Sequence, residues 1–351
     1  MTKRLVSVIA CLALMVSIFA GCGNTTGKDN GGSSTVENST AAPAGSSAST
    51  AETEKKTFKI GFSNASVSNT WRVAMYDMMK AEAAKHPEVE LLYTDANDNA
   101  AKQNSDVDDL LAKGIDALLI SPSTEAALNP AIEKAYAKGI PVIVFDRRPT
   151  TDKYTSFVVT DDVKNGEISG QLLVDQLTAK NGSAKGSVAI IQAFMGSGPQ
   201  IDRYKGIKNV LDKYPEIKII ADQPADFQRA KGQTVMENIL QANKNIDAVI
   251  SESGESLAGA IDAMKSANRL QGMILVNIDG YNGILKAIKD GTVAGTSLFP
   301  AGLGKEALLT CLKVLKGEQV EKLTSLENIL VTKDNVDKYV DMNAEDGAWT
   351  Y

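Results

Sequence analysis

The chain has 351 residues, with 37 Lys and Arg set against 43 Asp and Glu for a formal net charge of −6, and its cations are spread along the whole length. That distribution excludes the clustered basic face a nucleic-acid binder needs. A single histidine, His86 beside Pro87, and the lack of any cysteine cluster exclude zinc sites and Ser–His–Asp chemistry.

The first residues read as a secretory leader. Lys3 and Arg4 precede an apolar run from Leu5 to Ala20, and Ala20-Gly21-Cys22 places small residues before a cysteine. The run falls short of the roughly twenty residues a membrane-spanning helix requires. Residues 1–21 are therefore expected to be a signal peptide. Phe19-Ala20-Gly21-Cys22 resembles the bacterial lipobox, which implies lipidation of Cys22 and an extracytoplasmic chain anchored to the cell membrane. From Cys22 to residue 56 the chain is rich in Ser, Thr, Ala, Gly and Asn. Such a stretch buries too little apolar surface to offset its ordering entropy, so a flexible tether is expected there. Cys11 leaves with the leader and Cys22 carries the anchor, so Cys311 has no disulfide partner within one mature chain. Its neighbours Leu308, Leu312 and Leu315 mark it as a core thiol of a helix.

The 295 residues from Thr57 onward suffice for two lobes. Strands are predicted at Lys59–Phe62, Val89–Tyr93, Ala117–Ile120 and Pro141–Phe145, with helices at Trp71–Lys85, Ala101–Lys113 and Ala126–Lys138 between them. The scheme then repeats. Strands at Ser187–Ile191, Ile217–Ile220, Ala248–Ser251 and Ile274–Ile278 alternate with helices near Ile201–Lys213, Ala230–Ala242, Leu257–Ala267 and Asn282–Lys289. Continuous apolar strands imply sheets covered on both faces, and strand–helix alternation implies parallel βαβ units. Two doubly wound α/β lobes are expected, with ligand bound beyond the carboxyl ends of the strands, in the cleft between them.

That geometry selects the residues just after each strand. Asn64, Asn69, Trp71 and Arg72 follow the first strand, and Asp146-Arg147-Arg148 follows the fourth. Ser253 and Glu255 follow Ala248–Ser251, and Asp279 follows Ile274–Ile278. Arg203 opens a helix and Phe227 lies in a strand-end loop. Carboxylates accept and guanidinium groups donate several hydrogen bonds, which suits vicinal hydroxyls; aromatic rings cover the C–H face of a sugar. Met195-Gly196-Ser197-Gly198-Pro199 lacks the third glycine of a dinucleotide fingerprint and any phosphate-loop lysine, so it reads as a plain loop. Asp95 to Asp106 lacks the glycine and terminal glutamate of a calcium loop. Neither a cofactor nor a metal is expected.

In its order of motifs the chain resembles the type I periplasmic sugar-binding proteins of ABC transporters, in the ribose and galactofuranose branch. The matching stretches include Ile60-Gly61-Phe62-Ser63, Asp95 through Pro122, Ile140 through Arg147, Gln223-Pro224-Ala225-Asp226-Phe227, Ile278-Asp279-Gly280 and Val331 through Tyr339. The resemblance implies two Rossmann-like lobes joined by three crossings. Residues 57–160 and 299–327 would form one lobe, and 161–298 and 328–351 the other. It also implies a monomer that closes on a small sugar and delivers it to an ABC permease. Asn69 and Trp71 match first-loop contacts, Asp146 and Arg147 a sugar-clamping pair, Arg203 a second-lobe arginine, Phe227 a stacking aromatic and Asp279 a second-lobe carboxylate.

Three positions depart from the ribose binders. Arg72 replaces an aromatic residue, Ser253 stands where many members have asparagine, and Leu298 stands where ribose binders have glutamine. These argue against plain ribose and for another sugar, a furanose such as galactofuranose or a sugar acid paired by Arg72 and Arg203. A sugar sensor feeding a chemoreceptor or kinase would share the binding chemistry. A repressor of the same fold would carry a helix-turn-helix where this chain has a leader and tether. An enzyme on this scaffold lacks its catalytic groups.

Overall fold

The computed structural model describes residues 57–349. The leader, Cys22 and the tether lie outside those residues, as do positions 350 and 351. In the first sheet β1 (Phe58–Asn64) lies between β2 (Val89–Asp95) and β3 (Ala117–Ser121). It continues through β4 (Val142–Phe145), β5 (Ser156–Thr160) and, from far along the chain, β11 (Leu323–Leu326). Every pairing in it is parallel. In the second sheet β6 (Gly186–Gln192) lies between β7 (Ile217–Pro224) and β8 (Ala248–Ser251), followed by β9 (Ile274–Ile278), β10 (Gly295–Ser297) and β12 (Leu330–Thr332). Only the edge strand β12 departs from the expected parallel order, pairing antiparallel with β10.

The central strands β3, β4 and β8 are almost wholly apolar and buried because each of their faces is covered. In β3 and β4, Leu118, Ile120, Val142 and Val144 pack on Val107 and Leu110 of α2 (Ala100–Ala112) and Ile132 of α3 (Asn129–Ala137). The alternate residues Leu119, Ile143 and Phe145 pack on Met75 and Met79 of α1 (Thr70–Ala83) and on Leu308 and Leu312 of α9 (Leu303–Leu315). The second sheet repeats this sandwich. Leu173 and Leu177 of α4 (Asp162–Asn181) and Ile207 and Leu211 of α5 (Gly198–Leu211) cover one face. Helices α6 (Arg229–Ala242), α7 (Gly254–Ser266) and α8 (Asn282–Asp290) cover the other with Met236, Leu257 and Leu285. The fold is therefore two doubly wound α/β lobes, as the alternation implied. The chain crosses between them three times: after β5, after β10, and between β11 and β12. Among the described residues no helix is long and apolar enough to cross a membrane.

Several elements differ from the expectation. Helix α3 starts at Asn129, three residues late, because Pro130 favours the first turn and residues 126–128 form a turn instead. Helix α5 starts earlier, at Gly198, with Ser197 capping it and Pro199 in its first turn. Helix α4 was not foreseen at all. Its buried residues mix Leu172, Leu173 and Leu177 with the small and polar Asn165, Gly166, Ser169 and Gly170, so the apolar stripe is confined to its later turns. A Cβ on Gly166 would sit 2.2 Å from the Arg203 carbonyl, and one on Gly206 would sit 2.0 Å from the Val163 carbonyl. The two helices therefore meet backbone to backbone. This contact puts Arg203 of α5 beside Asp162 of α4.

Candidate functional site

Between the two sheets, at the carboxyl ends of their strands, lies a cavity with about 340 Å³ of space free of protein atoms. Asn69, Trp71, Arg72, Asp146 and Arg147 line it from the first lobe. Pro199, Arg203, Phe227 and Asp279 line it from the second, and Phe299, in the crossing after β10, completes it.

The first-lobe half is set by the turn into α1. The Asn69 side chain caps the helix, its Oδ1 accepting from the Arg72 amide at 3.0 Å. Arg72 is buried. Its Nη2 donates to Asp146 Oδ2 at 2.6 Å, and its Nη1 donates to Asn64 Oδ1 and Ser121 Oγ, both at 3.0 Å. Ser121 Oγ in turn donates to Asp146 Oδ2 at 2.9 Å. Asp146 holds this place with a φ of 68°, a left-handed conformation unusual for a non-glycine residue. Arg147 donates through Nη1 to the Ser123 carbonyl, while its buried Nε has no protein partner. Burial, reinforced by the neighbouring Arg72 charge, pushes the Arg147 guanidinium down to about 10. It remains a cation at neutral pH. The Trp71 indole Nε1 is likewise buried without a partner. Its ring centroid lies 5.2 Å from that of Phe299.

The second-lobe half centres on Arg203. Its Nε donates to Asp162 Oδ1 at 2.8 Å and its Nη1 to the Glu252 carbonyl at 2.7 Å, and its guanidinium carbon stands 4.6 Å from the Phe299 ring centre. Asp279 accepts from the amides of Gly254 and Gly280, each at 3.3 Å. Burial raises its carboxyl to about 7 against the opposing pull of Arg203. Asp162 is raised to about 6 for the same reason. Behind the cavity, Glu252 accepts from the Ala193 amide at 2.8 Å through Oε2, whereas its Oε1 has no partner. Burial raises this carboxyl to about 8. Phe227 reaches the cavity from a turn in which it and Asp226 both have positive φ, 60° and 54°. Such strain persists only where the surroundings hold it, and it gathers at ligand sites.

Eight of the twelve residues singled out by sequence line this one cavity. Arg148 and Glu255 instead reach across the cleft beside it, and Asn64 and Ser253 lie behind it. Asn64 sits one layer back, bridging Arg72 to the Tyr93 hydroxyl, so it braces the arginine. Ser253 is buried in a local turn with Ser251, and only the amide of the next residue, Gly254, reaches Asp279. Leu298 is fully buried and does not line the cavity either. Phe299 and Pro199 were missed. The signal for Phe299 was weak because β10, which it follows, is only three residues long. Cys311 is buried in α9, where burial pushes its thiol upward.

Contacts between the lobes flank the cavity. Arg148, oriented by Glu125 of its own lobe at 2.8 Å from its Nε, reaches across through Nη1 to Asp202 of α5 at 2.5 Å. Elsewhere along the cleft, Thr70 of α1 meets Glu255 of α7.

Fold and site together define a two-lobed receptor that encloses a small polar molecule. The chain belongs to the periplasmic binding protein family, whose domain model matches residues 60–319. The ribose import binding protein of Bacillus subtilis is 34% identical over 273 residues, covering 77% of this chain and 86% of that protein. A solved galactofuranose-binding protein superposes with a TM-score of 0.76 at 29% identity, covering 83% of this chain and all of that one. The fructose-binding periplasmic domain of a hybrid two-component system gives a TM-score of 0.73 at 30% identity, covering 80% of this chain and 92% of that one.

Proposed function

We propose that this protein is the substrate-binding component of a sugar ABC importer, a lipoprotein held outside the cell membrane through Cys22 that hands a neutral monosaccharide to a permease. The observation that carries the reading is the charge balance of the cavity. Arg72 is already paired with Asp146 and Arg203 with Asp162, and the third guanidinium, Arg147, shares the cavity with the carboxyl of Asp279. Unpaired guanidinium groups would favour an anionic ligand. Groups neutralised in pairs instead offer fixed donors and acceptors to hydroxyls. This weakens the case for a sugar acid held by Arg72 and Arg203, and leaves Arg147 as the guanidinium that could still pair with one. Trp71, Phe227 and Phe299 supply apolar ring faces. A furanose such as galactofuranose fits better than ribose, because neither Ser253 nor Leu298 offers a side-chain amide to the site. The similarity to a galactofuranose-binding protein supports the same choice.

In this reading Asn69, Trp71, Arg72, Asp146 and Arg147 engage the sugar first, and Arg203, Phe227 and Asp279 complete the cage as the lobes close. Residues 57–160 with 299–327 then move as one lobe against 161–298 with 328–351. A second reading, a sensor that reports the same sugar to a kinase, draws on the likeness to the two-component fructose-binding domain.

A thermal-shift panel of aldoses, methyl furanosides, sugar acids and polyols tests this. Ligand at a hundred times its dissociation constant stabilises by roughly 2.7 kcal/mol. Methyl β-D-galactofuranoside should shift the melting temperature more than D-ribose or D-galacturonate, and Phe227→Ala should lower its affinity at least about tenfold without unfolding the protein. Ribose as the strongest ligand would overturn the furanose choice. No shift with any carbohydrate would overturn the class.

A further inference from the structure

The first turn of α1 carries Asn69, Trp71 and Arg72 into the cavity, so whatever holds that turn also places half of the site. Asn69 satisfies the Arg72 amide, but the Thr70 amide is another of the free donors at a helix start. Its partner comes from the opposite lobe. Glu255 Oε1, on the first turn of α7, accepts from the Thr70 amide at 2.9 Å and from the Thr70 hydroxyl at 2.6 Å. One carboxylate of the second lobe thus caps a helix of the first, where the helix dipole favours negative charge.

The third member is Trp349, whose indole Nε1 donates to Thr70 Oγ1 at 2.8 Å. The segment that bears it is fixed to the second lobe. Asn282 donates to the Asp341 carbonyl at 2.8 Å, Gly283 to the Asp346 carbonyl at 2.9 Å, and Lys286 to the Ala344 carbonyl at 2.7 Å. Trp349 itself forms a β-bridge with Tyr281 and packs edge-on to its ring, centroids 6.0 Å apart. Thr70 is therefore gripped on two sides by second-lobe groups. All three hydrogen bonds must break for the lobes to part.

We propose that Thr70, Glu255 and Trp349 form an interlobe clasp that sets how long a bound sugar is retained. They are positioning residues: none is among the residues lining the cavity, and they act through the turn that carries Asn69, Trp71 and Arg72. The clasp contributes only in the closed arrangement, so removing it speeds opening and leaves the first encounter with ligand unchanged. The proposal rests on the carbohydrate-binding reading above.

The test measures association and dissociation by stopped-flow fluorescence for D-galactose, L-arabinose, D-ribose, xylitol and myo-inositol. The protein is compared with Trp349→Phe, which keeps the ring packing but loses the donor, and with Glu255→Ala and Glu255→Gln. Any of these probes that binds should leave Trp349→Phe and Glu255→Ala several-fold faster, with association and the unliganded melting temperature unchanged. Glu255→Gln keeps an acceptor and should recover part of the loss. Equal dissociation rates in all four proteins would overturn the clasp and leave the carbohydrate reading intact. So would a loss confined to association. Failure of all five probes, and of methyl β-D-galactofuranoside beside them, to bind the unaltered protein would overturn that reading and the clasp with it.

Discussion

Arg203 is surrounded by more acid than it can neutralise: Asp162 at bonding distance, Asp279 across the cavity, and Glu252, whose carbonyl it binds. The excess is relieved by protonation, since burial raises Asp162, Asp279 and Glu252 to about 6, 7 and 8. A carboxyl raised on folding makes the native state bind more protons than the unfolded chain, whose glutamates titrate near 4.3. Stability then falls as pH rises from the unfolded value through the folded one. For Glu252 that window runs from about 4.3 to about 8, at no more than about 1.4 kcal/mol per pH unit. Glu252→Gln should flatten the dependence and melt higher than the unaltered protein at pH 8. Melting curves recorded between about pH 5 and pH 8.5 check this, and parallel curves would contradict it. Glu252 went unnoticed in the sequence because it precedes Ser253 by one position and reaches the site only through its backbone carbonyl and its field.

At the scale of elements, the close seat of α4 on α5 decides where Arg203 lies. Gly206→Ala would drive a methyl group into the Val163 carbonyl, so the helices must separate. Overpacking of this kind costs about 1–3 kcal/mol. A lower urea midpoint is expected, together with weaker sugar binding, because Asp162 and Arg203 sit on the two helices being separated. The same contact explains what was legible in the sequence. Strands β1, β3, β4, β6, β8 and β9 announce themselves as short apolar runs because both their faces are buried. The first half of helix α4 has no such period, since Gly166 and Gly170 pack by closeness and not by apolar bulk. Strand β5 alternates buried and half-buried residues, while β10 and β12 have only three residues each, too few to show a pattern. The site was more readable than the strands that complete it. Asp146, Asp279 and Arg203 follow well-marked strands, whereas Phe299 follows β10.

At the scale of the whole molecule, the lobes touch through Arg148 with Asp202 and through Thr70 with Glu255 and Trp349. With a bound sugar bridging the same gap, solution scattering should show a smaller radius of gyration than without it; an unchanged radius would contradict closure. The three crossings also fix an order of assembly. The first sheet lacks its edge until Leu323–Leu326 pairs with Ser156–Thr160, and the face of β3 and β4 that carries Phe145 is only partly covered, by α1, until Leu303–Leu315 arrives. The second sheet waits for Leu330–Thr332. Neither core can be sealed while the chain is still emerging from the ribosome, and pairings across such long sequence separations form slowly. For the exported lipoprotein proposed above, that delay would be an advantage: the architecture would keep the chain open until nearly all of it had passed the membrane.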